Sequence, residues 1–366
     1  MAKNKKTYFI VLGVAAFIVY VLLAAAPVPA ETILVNNWIV SLESVLAEEP
    51  PEAAPGGPLI PFTLGGRFGY VDGGGHLVLN REREKTVSLS ADRWAEYDGA
   101  PDTLEIRNPQ TGEALTLEDP RGYPVFLKGR IFLLSRDQTS LEELNGDGTS
   151  RWRYDYEAPL TCIDASETYV LTGTLDGMID LLDAGGKAVF PSFPPGGSQI
   201  PVILGCRISS DGTKLAVVSG INKQRFLFLE RYGASDYRIT YHDFLVPGEG
   251  FSRELWMSFI EDDSRVVFER ESGLGIYDVR SRTAVTVPLA KQERLEAMDE
   301  EGGGGLFFFV TGIPGNGEKR LTALRLPGAE LLSVPFKSEG AFLTRRGGEL
   351  YTGGGSALAS FTLDKR

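Results

Sequence analysis

Residues 161–190 read TCIDASETYVLTGTLDGMIDLLDAGGKAVF. An apolar run, a short polar turn and a second apolar run ending at Gly173 open the stretch. A third run follows Asp176-Gly177 and a fourth follows Gly185-Gly186. Short apolar runs bounded by Gly- and Asp-bearing turns read as β-hairpins, so this stretch predicts four antiparallel strands in one small sheet. Such a sheet cannot bury both faces by itself. It needs neighbours of the same kind.

The chain supplies them. Second strands start after polar turns at Trp94, Ile131, Val170, Leu215, Val266, Leu306 and Leu350. Their spacing averages about 43 residues, the length of a four-stranded propeller blade. The reading is an all-β fold, a seven-bladed β-propeller of four-stranded antiparallel blades over 62–366. A β-sandwich of this length would need two domains with a visible break, and none is visible after residue 61. The last unit, 340–363, holds three strands, while a hairpin at 67–82 over Gly73-Gly74-Gly75 is left over. Strands from about 66–83 are therefore expected to complete the last blade and close the ring. On that reading deletion of 1–57 leaves a folded domain, and deletion of 1–84 is far worse. Runs such as 131–134, 215–218 and 306–310 are continuously apolar, as strands covered on both faces should be. Residues 140–145 are mixed and read as an outer edge. Residues 294–300, the one stretch beyond 47 with helical spacing, are short enough for a turn.

The units resemble bacterial propeller repeats of the WD-like, YVTN-like and quinoprotein-like superfamily. YVLTG at 169–173 with IDLLDAGGK at 179–187 is similar to the YVTN type. SSDGTKL at 209–215 resembles a turn of many periplasmic propellers, and ELNGDGTSRWRY at 143–154 resembles the end of a quinoprotein repeat, with Gly148 and Trp152 in place. These motifs concern turns and packing. They carry no chemistry.

The first sixty residues read differently. Lys3, Lys5 and Lys6 precede 8–26, nineteen uncharged and mostly apolar residues. As a helix these span roughly 28 Å, about the hydrocarbon thickness of a bilayer. The expected order is a cytoplasmic stub at 1–7, a transmembrane helix or signal peptide at 8–26, and an extracytoplasmic stalk and Pro-rich linker at 27–61. Val28-Pro29-Ala30 offers a cleavage site for the signal-peptide alternative. Lysines before the span and Glu31, Glu43, Glu48 and Glu49 after it keep the amino end inside. This places the chain in the bacterial inner membrane with its carboxy-terminal domain in the periplasm, or free there after cleavage. The net charge of −12 repels phosphate backbones and argues against nucleic-acid partners.

The search for chemistry assigns no catalytic, cofactor-binding or metal residue. His76 and His242 read as strand or loop residues, with no Gly-x-Ser-x-Gly elbow to accompany them. Trp152 alone of the four tryptophans sits in a quinoprotein-like frame. Trp94 and Trp256 read as fillers between blades, and Trp38 precedes the propeller. The acidic runs Glu261-Asp262-Asp263 and Asp299-Glu300-Glu301 occupy turns and lack the alternating ligand spacing of a calcium loop. Asn145-Gly146-Asp147-Gly148-Thr149 is too short for one. The run 302–305 lacks the Lys and Ser/Thr of a phosphate loop. Cys162 and Cys206 fall on first strands of neighbouring units, too far apart by expectation for a disulfide, and read as buried thiols.

The function expected is a membrane-tethered interaction or ligand-binding scaffold in the bacterial envelope, with an unidentified envelope protein as partner and the membrane touched only by the amino-terminal helix. Some quinoprotein-like propellers assist outer-membrane assembly, and the resemblance implies a role of that kind. The alternative is a hydrolase or lyase holding a sugar or peptide with acidic residues at the channel mouth. An enzyme should converge polar side chains from different blades there.

Overall fold

The computed structural model describes residues 12–15, 17, 19–20, 32–43, 57–99, 101–190, 198–233, 235–245, 252–271 and 273–365. It divides the chain into two units, 1–35 with 363–366, and 36–362. In the first unit the described residues of the apolar amino-terminal run are helical, with Leu12, Val14, Phe17, Val19 and Tyr20 exposed. The rest of 8–26, expected as a transmembrane helix, lies outside the described residues. Among the described residues no helix is long and apolar enough to cross a membrane.

The strands form eight sheets. Blade 1 is β2 (Ile60–Leu64), β3 (Arg67–Val71) and β4 (Leu77–Glu82). Blade 2 is β5 (Thr86–Leu89), β6 (Trp94–Tyr97), β7 (Thr103–Arg107) and β8 (Ala114–Glu118). Blade 3 is β9 (Gly122–Leu127), β10 (Arg130–Ser135), β11 (Ser140–Leu144) and β12 (Ser150–Asp155). Blade 4 is β13 (Leu160–Ala165), β14 (Tyr169–Thr174) and β15 (Ile179–Asp183), extended by an isolated bridge between Leu182 and Ala188. Blades 5, 6 and 7 take β16 (Ile203–Ile208) to β19 (Tyr237–Phe244), β20 (Met257–Ile260) to β23 (Thr283–Pro288), and β24 (Arg294–Met298) to β27 (Ala329–Lys337). Blade 8 is β28 (Ala341–Arg346), β29 (Glu349–Gly354) and β30 (Ala357–Lys365), with β1 (Thr32–Ser41) as its outermost strand.

The propeller thus has eight blades and not seven. The seven second strands traced from the sequence are β6, β10, β14, β17 (Lys214–Ser219), β21 (Arg265–Arg270), β25 (Leu306–Gly312) and β29, and the eighth is β2. The hairpin at 67–82 does not close the ring. It pairs with β2 in a blade of its own, and the closing strand is β1, from the segment expected to be a stalk. The physical reason is the alternation of ILVNNWIVS at 33–41, whose β-branched and aromatic residues suit an edge strand better than a tether. From residue 36 onward β1 is fixed by Asn37, whose Nδ2 donates to Ser360 Oγ at 3.1 Å. Leu42 follows it, fully buried, its N–H on Ser356 O at 2.7 Å and its carbonyl on Asn80 Nδ2 at 2.8 Å.

The three strands of blade 1 match the second, third and fourth strands of the other blades. In blades 2, 5, 7 and 8 the residue after the fourth strand donates its N–H to the turn between second and third: Asp119 to Asp102, Leu245 to Gln224, Ser338 to Gly317, Leu42 to Ser356. Arg83 to Gly66 repeats this in blade 1. The stretch where its first strand belongs, 44–56, lies outside the described residues.

The core lies between blades. Phe226 stacks on Phe268 at 4.1 Å across blades 5 and 6, among Val218, Leu255, Met257 and Tyr277. Leu171 and Leu181 of blade 4 meet Leu215 and Leu227 of blade 5 in the same way. Each blade hides what its neighbour exposes, so the third strand is covered too. Leu141 on β11 is fully buried, and 140–145 is not an outer edge. The fourth strand, β12, is the one that faces water. Residues 294–298, the helical candidate, form inner strand β24 because the preceding turn delivers them to the channel wall.

Candidate functional site

The residues singled out in the sequence mostly serve the frame. His76 Nδ1 lies 2.9 Å from Asp72 in its own hairpin on blade 1, while His242 is on the outer strand of blade 5. The histidines are not brought together. Trp152 Nε1 donates to Glu143 Oε2 at 2.6 Å, and its ring covers Gly186 of the next blade so closely that a Cβ there would stand 2.5 Å from it. Trp38 does the same to Gly75 of blade 1 and donates to Gly73 O at 2.9 Å. It belongs to the closing strand and does not precede the propeller.

The acidic turns bind neighbouring blades. Asp263 accepts from Ser210 N at 2.8 Å, and Glu261 accepts from Gly305 N at 2.8 Å, which gives the 302–305 loop its seat. Asp299, fully buried, meets Arg345 at 3.1 Å. Among the described residues no group of three or more His, Cys, Asp or Glu side chains stands close enough to hold a metal ion. Cys162 and Cys206 are the buried free thiols expected, but they stand closer together than expected. Their Sγ atoms lie 2.9 Å apart, both thiols buried. Strands β13 and β16 approach closely because Gly173 leaves room, where a Cβ would stand 2.7 Å from Cys162 Sγ and 2.4 Å from Ile203.

The channel mouth does gather charge from different blades. Asp164 of β13 accepts from Ile208 N at 2.9 Å, and Arg207 of β16 lies beside it. Lys128 from the β9–β10 turn, Glu254 before β20 and Glu300 after β24 feel the same field. Burial pushes the carboxyls of Asp164, Glu254 and Glu300 above the ordinary range, with the Arg207 guanidinium pulling each back. Burial likewise disfavours the Arg207 cation, but Asp164, Cys206 and Glu254 outweigh it and hold that group more firmly protonated. Glu254 and Glu300 are open to solvent by surface area and yet walled closely by protein, as side chains in a narrow wet channel are. The set is self-compensating, with cations set among carboxylates. Such a set brings together polar side chains from different blades and can hold a dipolar group.

A second feature lies between blades 1 and 2. A polar groove of about 730 Å³ opens there, with Arg81 and Lys85 on one side and Trp94, Glu96, Glu105 and Arg107 on the other. The ladder beside it is short within blade 2. β5 pairs with β6 at four positions and β7 with β8 at five, but β6 meets β7 only at Trp94 and Arg107. Trp94 packs on Phe68 with ring centres 5.6 Å apart, under the guanidinium groups of Arg81 (5.3 Å) and Arg107 (5.9 Å). It is 3% exposed, and its Nε1 has no hydrogen-bond acceptor among the described residues. Every cation in the groove has a carboxylate: Arg81 with Glu96 at 3.1 Å, Arg107 with Glu105 at 2.6 Å, Lys85 with Asp98 at 3.7 Å. Sequence reasoning placed Trp94 between blades and missed the groove, which no motif marks.

A family model described as beta-propeller protein matches residues 1–365. A protein of Treponema pallidum (strain Nichols), carried as an uncharacterized protein, is 30% identical over 294 residues, covering 78% of this chain and 76% of that one. Among solved structures, BamB from Moraxella catarrhalis is similar with a TM-score of 0.56 at 12% identity, over 90% of this chain and 100% of that one. The computationally designed Ika8 protein is similar with a TM-score of 0.60 at 12% identity, over 87% and 98%. At such identities the likeness is one of fold.

Proposed function

Because the chain belongs to the beta-propeller protein family, we propose that it is a docking scaffold of the bacterial envelope, working by binding and carrying its site on the rim of the ring. The observation that carries this reading is the polar groove of about 730 Å³ between blades 1 and 2, whose charges are already paired. On a rigid eight-bladed frame such a groove is a surface suited to another chain. The channel mouth supplies a second polar surface, where compensated charges from different blades suit a dipolar ligand. The extracytoplasmic location rests on the lysine-then-apolar start of the sequence, read as an export signal, and on the acidic balance after it.

The test is crosslinking in the cells that make the protein. A photo-reactive amino acid at Glu82, on the groove's rim and 72% exposed, should trap one envelope protein reproducibly. The same group at Arg153, on the outer strand of blade 3, should not. Equal trapping at both positions, or none at Glu82, overturns the scaffold reading. Digestion of the propeller by protease added to spheroplasts checks its location, and protection alongside a cut periplasmic control refutes it.

A further inference from the structure

We infer that the channel mouth is a binding site for a free basic amino acid, whose carboxylate rests on Arg207 and whose two cationic groups face Asp164, Glu254 and Glu300. The inference rests on the channel-mouth part of the reading above and not on the groove. Five blades in succession send one charged side chain each to this place: Lys128 from blade 3, Asp164 from blade 4, Arg207 from blade 5, Glu254 from just ahead of β20 in blade 6, and Glu300 from blade 7. In a ring of eight, blades 3 and 7 stand opposite each other, yet the Lys128 charge reaches Glu300. The mouth is therefore narrow where these groups meet.

Their bonding sets them apart. Carboxylates elsewhere in the ring meet a cation directly, as Glu269 meets Arg253 at 2.7 Å and Asp299 meets Arg345 at 3.1 Å. Among the described residues none of the five mouth side chains is in an ion pair. The Arg207 guanidinium donates only to the carbonyl of Cys206, at 2.7 Å, and Asp164 accepts from backbone alone, Ile208 N at 2.9 Å. Glu254 and Glu300 engage Arg253 and Ser258 through their backbone carbonyls, and their carboxylates have no partner among the described residues. Charges closely walled by protein and left without a direct partner are costly. Gathered from several elements in a concave place, they mark a ligand site. The chemistry of the ligand follows from theirs. A guanidinium grips a carboxylate through paired N–H donors. Two cations and three carboxylates leave one negative charge in excess, so the complement carries one carboxylate and two cationic groups, as arginine and lysine do. A phosphate would meet three carboxylates, and among the described residues no three acidic groups stand close enough for a metal ion. Burial makes each carboxyl reluctant to ionise, and a ligand cation beside it draws the proton off.

The experiment is isothermal titration calorimetry on the purified full-length chain with three ligands: arginine, agmatine, which lacks the carboxylate, and leucine, which lacks the second cation. Agmatine and leucine should each bind at least about tenfold more weakly than arginine, because each leaves one charged contact unmade. Arg207→Gln should weaken arginine at least about tenfold and leave agmatine within about threefold, since groups at opposite ends of the ligand act independently. Glu300→Gln should weaken both. At mildly acidic pH the heat of arginine binding should vary with the buffer's own heat of ionisation, as protons leave the carboxyls. If Arg207→Gln fails to fold, the three ligands on the unaltered chain decide. Agmatine or leucine bound as tightly as arginine overturns the site. So does the absence of binding by arginine and lysine, or a heat that ignores the buffer. Binding of arginine with no crosslink at Glu82 refutes the groove and leaves the mouth standing, and the converse refutes the mouth and leaves the groove.

Discussion

Consider a chain shortened to begin at Pro58, compared with one that begins at Glu31. The sequence alone suggests that the shorter chain folds, and the structure says the opposite. Its loss removes β1 and with it Leu42, which is fully buried. Returning a leucine side chain to water forfeits about 2–3 kcal/mol. Asn80 loses the Leu42 carbonyl as acceptor, and the Trp38 N–H bond to Gly73 disappears, each worth about 1 kcal/mol. The Trp38 ring no longer covers Gly75 or meets Tyr351. Together these exceed about 4 kcal/mol, a large part of the usual 5–15 kcal/mol of net stability. Thermal unfolding followed by circular dichroism should show the midpoint lowered by about 10 °C or more, or no cooperative transition. Leu42→Ala in the longer chain should account for about 2–5 kcal/mol of the loss by itself. A chain from Pro58 that melts at the temperature of its longer counterpart refutes the closing role of β1.

Glu143, buried between Arg130 and Arg151 and bonded to Trp152, should cost about 3–5 kcal/mol when changed to Ala, because Arg130 is then stranded. Breaking the exposed pair of Arg153 and Asp155 should cost under about 1 kcal/mol in the same denaturant titration. Burial opposes ionisation of Asp211, but hydrogen bonds from Ser209 and Thr213 outweigh it and bring its carboxyl from 3.8 to about 2. Its contribution is therefore complete above about pH 4 and is lost as pH falls toward 2. Asp211→Asn should flatten that part of the stability profile, and an unchanged acid limb counts against the turn's role. Cys162 and Cys206, with sulfurs 2.9 Å apart, should resist alkylation in denaturant without reductant when the protein is taken from an oxidising compartment. Full labelling of both before reduction rejects the pairing.

Most of the ring is legible in the sequence because its strands are short, apolar and punctuated by turn residues. Asp183-Ala184-Gly185-Gly186 is one such punctuation, and Asp72-Gly73-Gly74-Gly75 is another, each with its last Gly at positive φ beneath a tryptophan of the preceding blade. Pairing Trp38 with Gly75 as Trp152 pairs with Gly186 would have placed 32–41 in the ring. That signal was hidden, because β1 continues an apolar leader and β2 begins two residues after Pro58 in a proline-rich stretch. The close approach of the cysteines depends on an absent side chain, Gly173, that no strand pattern reveals. The ladder between β6 and β7 is short, and Pro101, lacking an N–H in the turn ahead of β7, is its trace in the residues themselves.

The bond between Asn37 and Ser360 joins residues 323 positions apart. A contact that long is slow to form, because loop closure must be met before any pairing can offset it. If synthesis runs from the amino end, β1 emerges early and waits through seven blades for β30 to appear. During that wait a ten-residue strand with an apolar face is available to any other edge, in this chain or in another copy of it. Its two central asparagines, Asn36 and Asn37, weaken such premature pairing, and Asn37 suits the partners it finally meets, Ser360 and Thr362. Folding yield at high concentration should thus respond to residues 36–37 more steeply than the stability of the finished ring does.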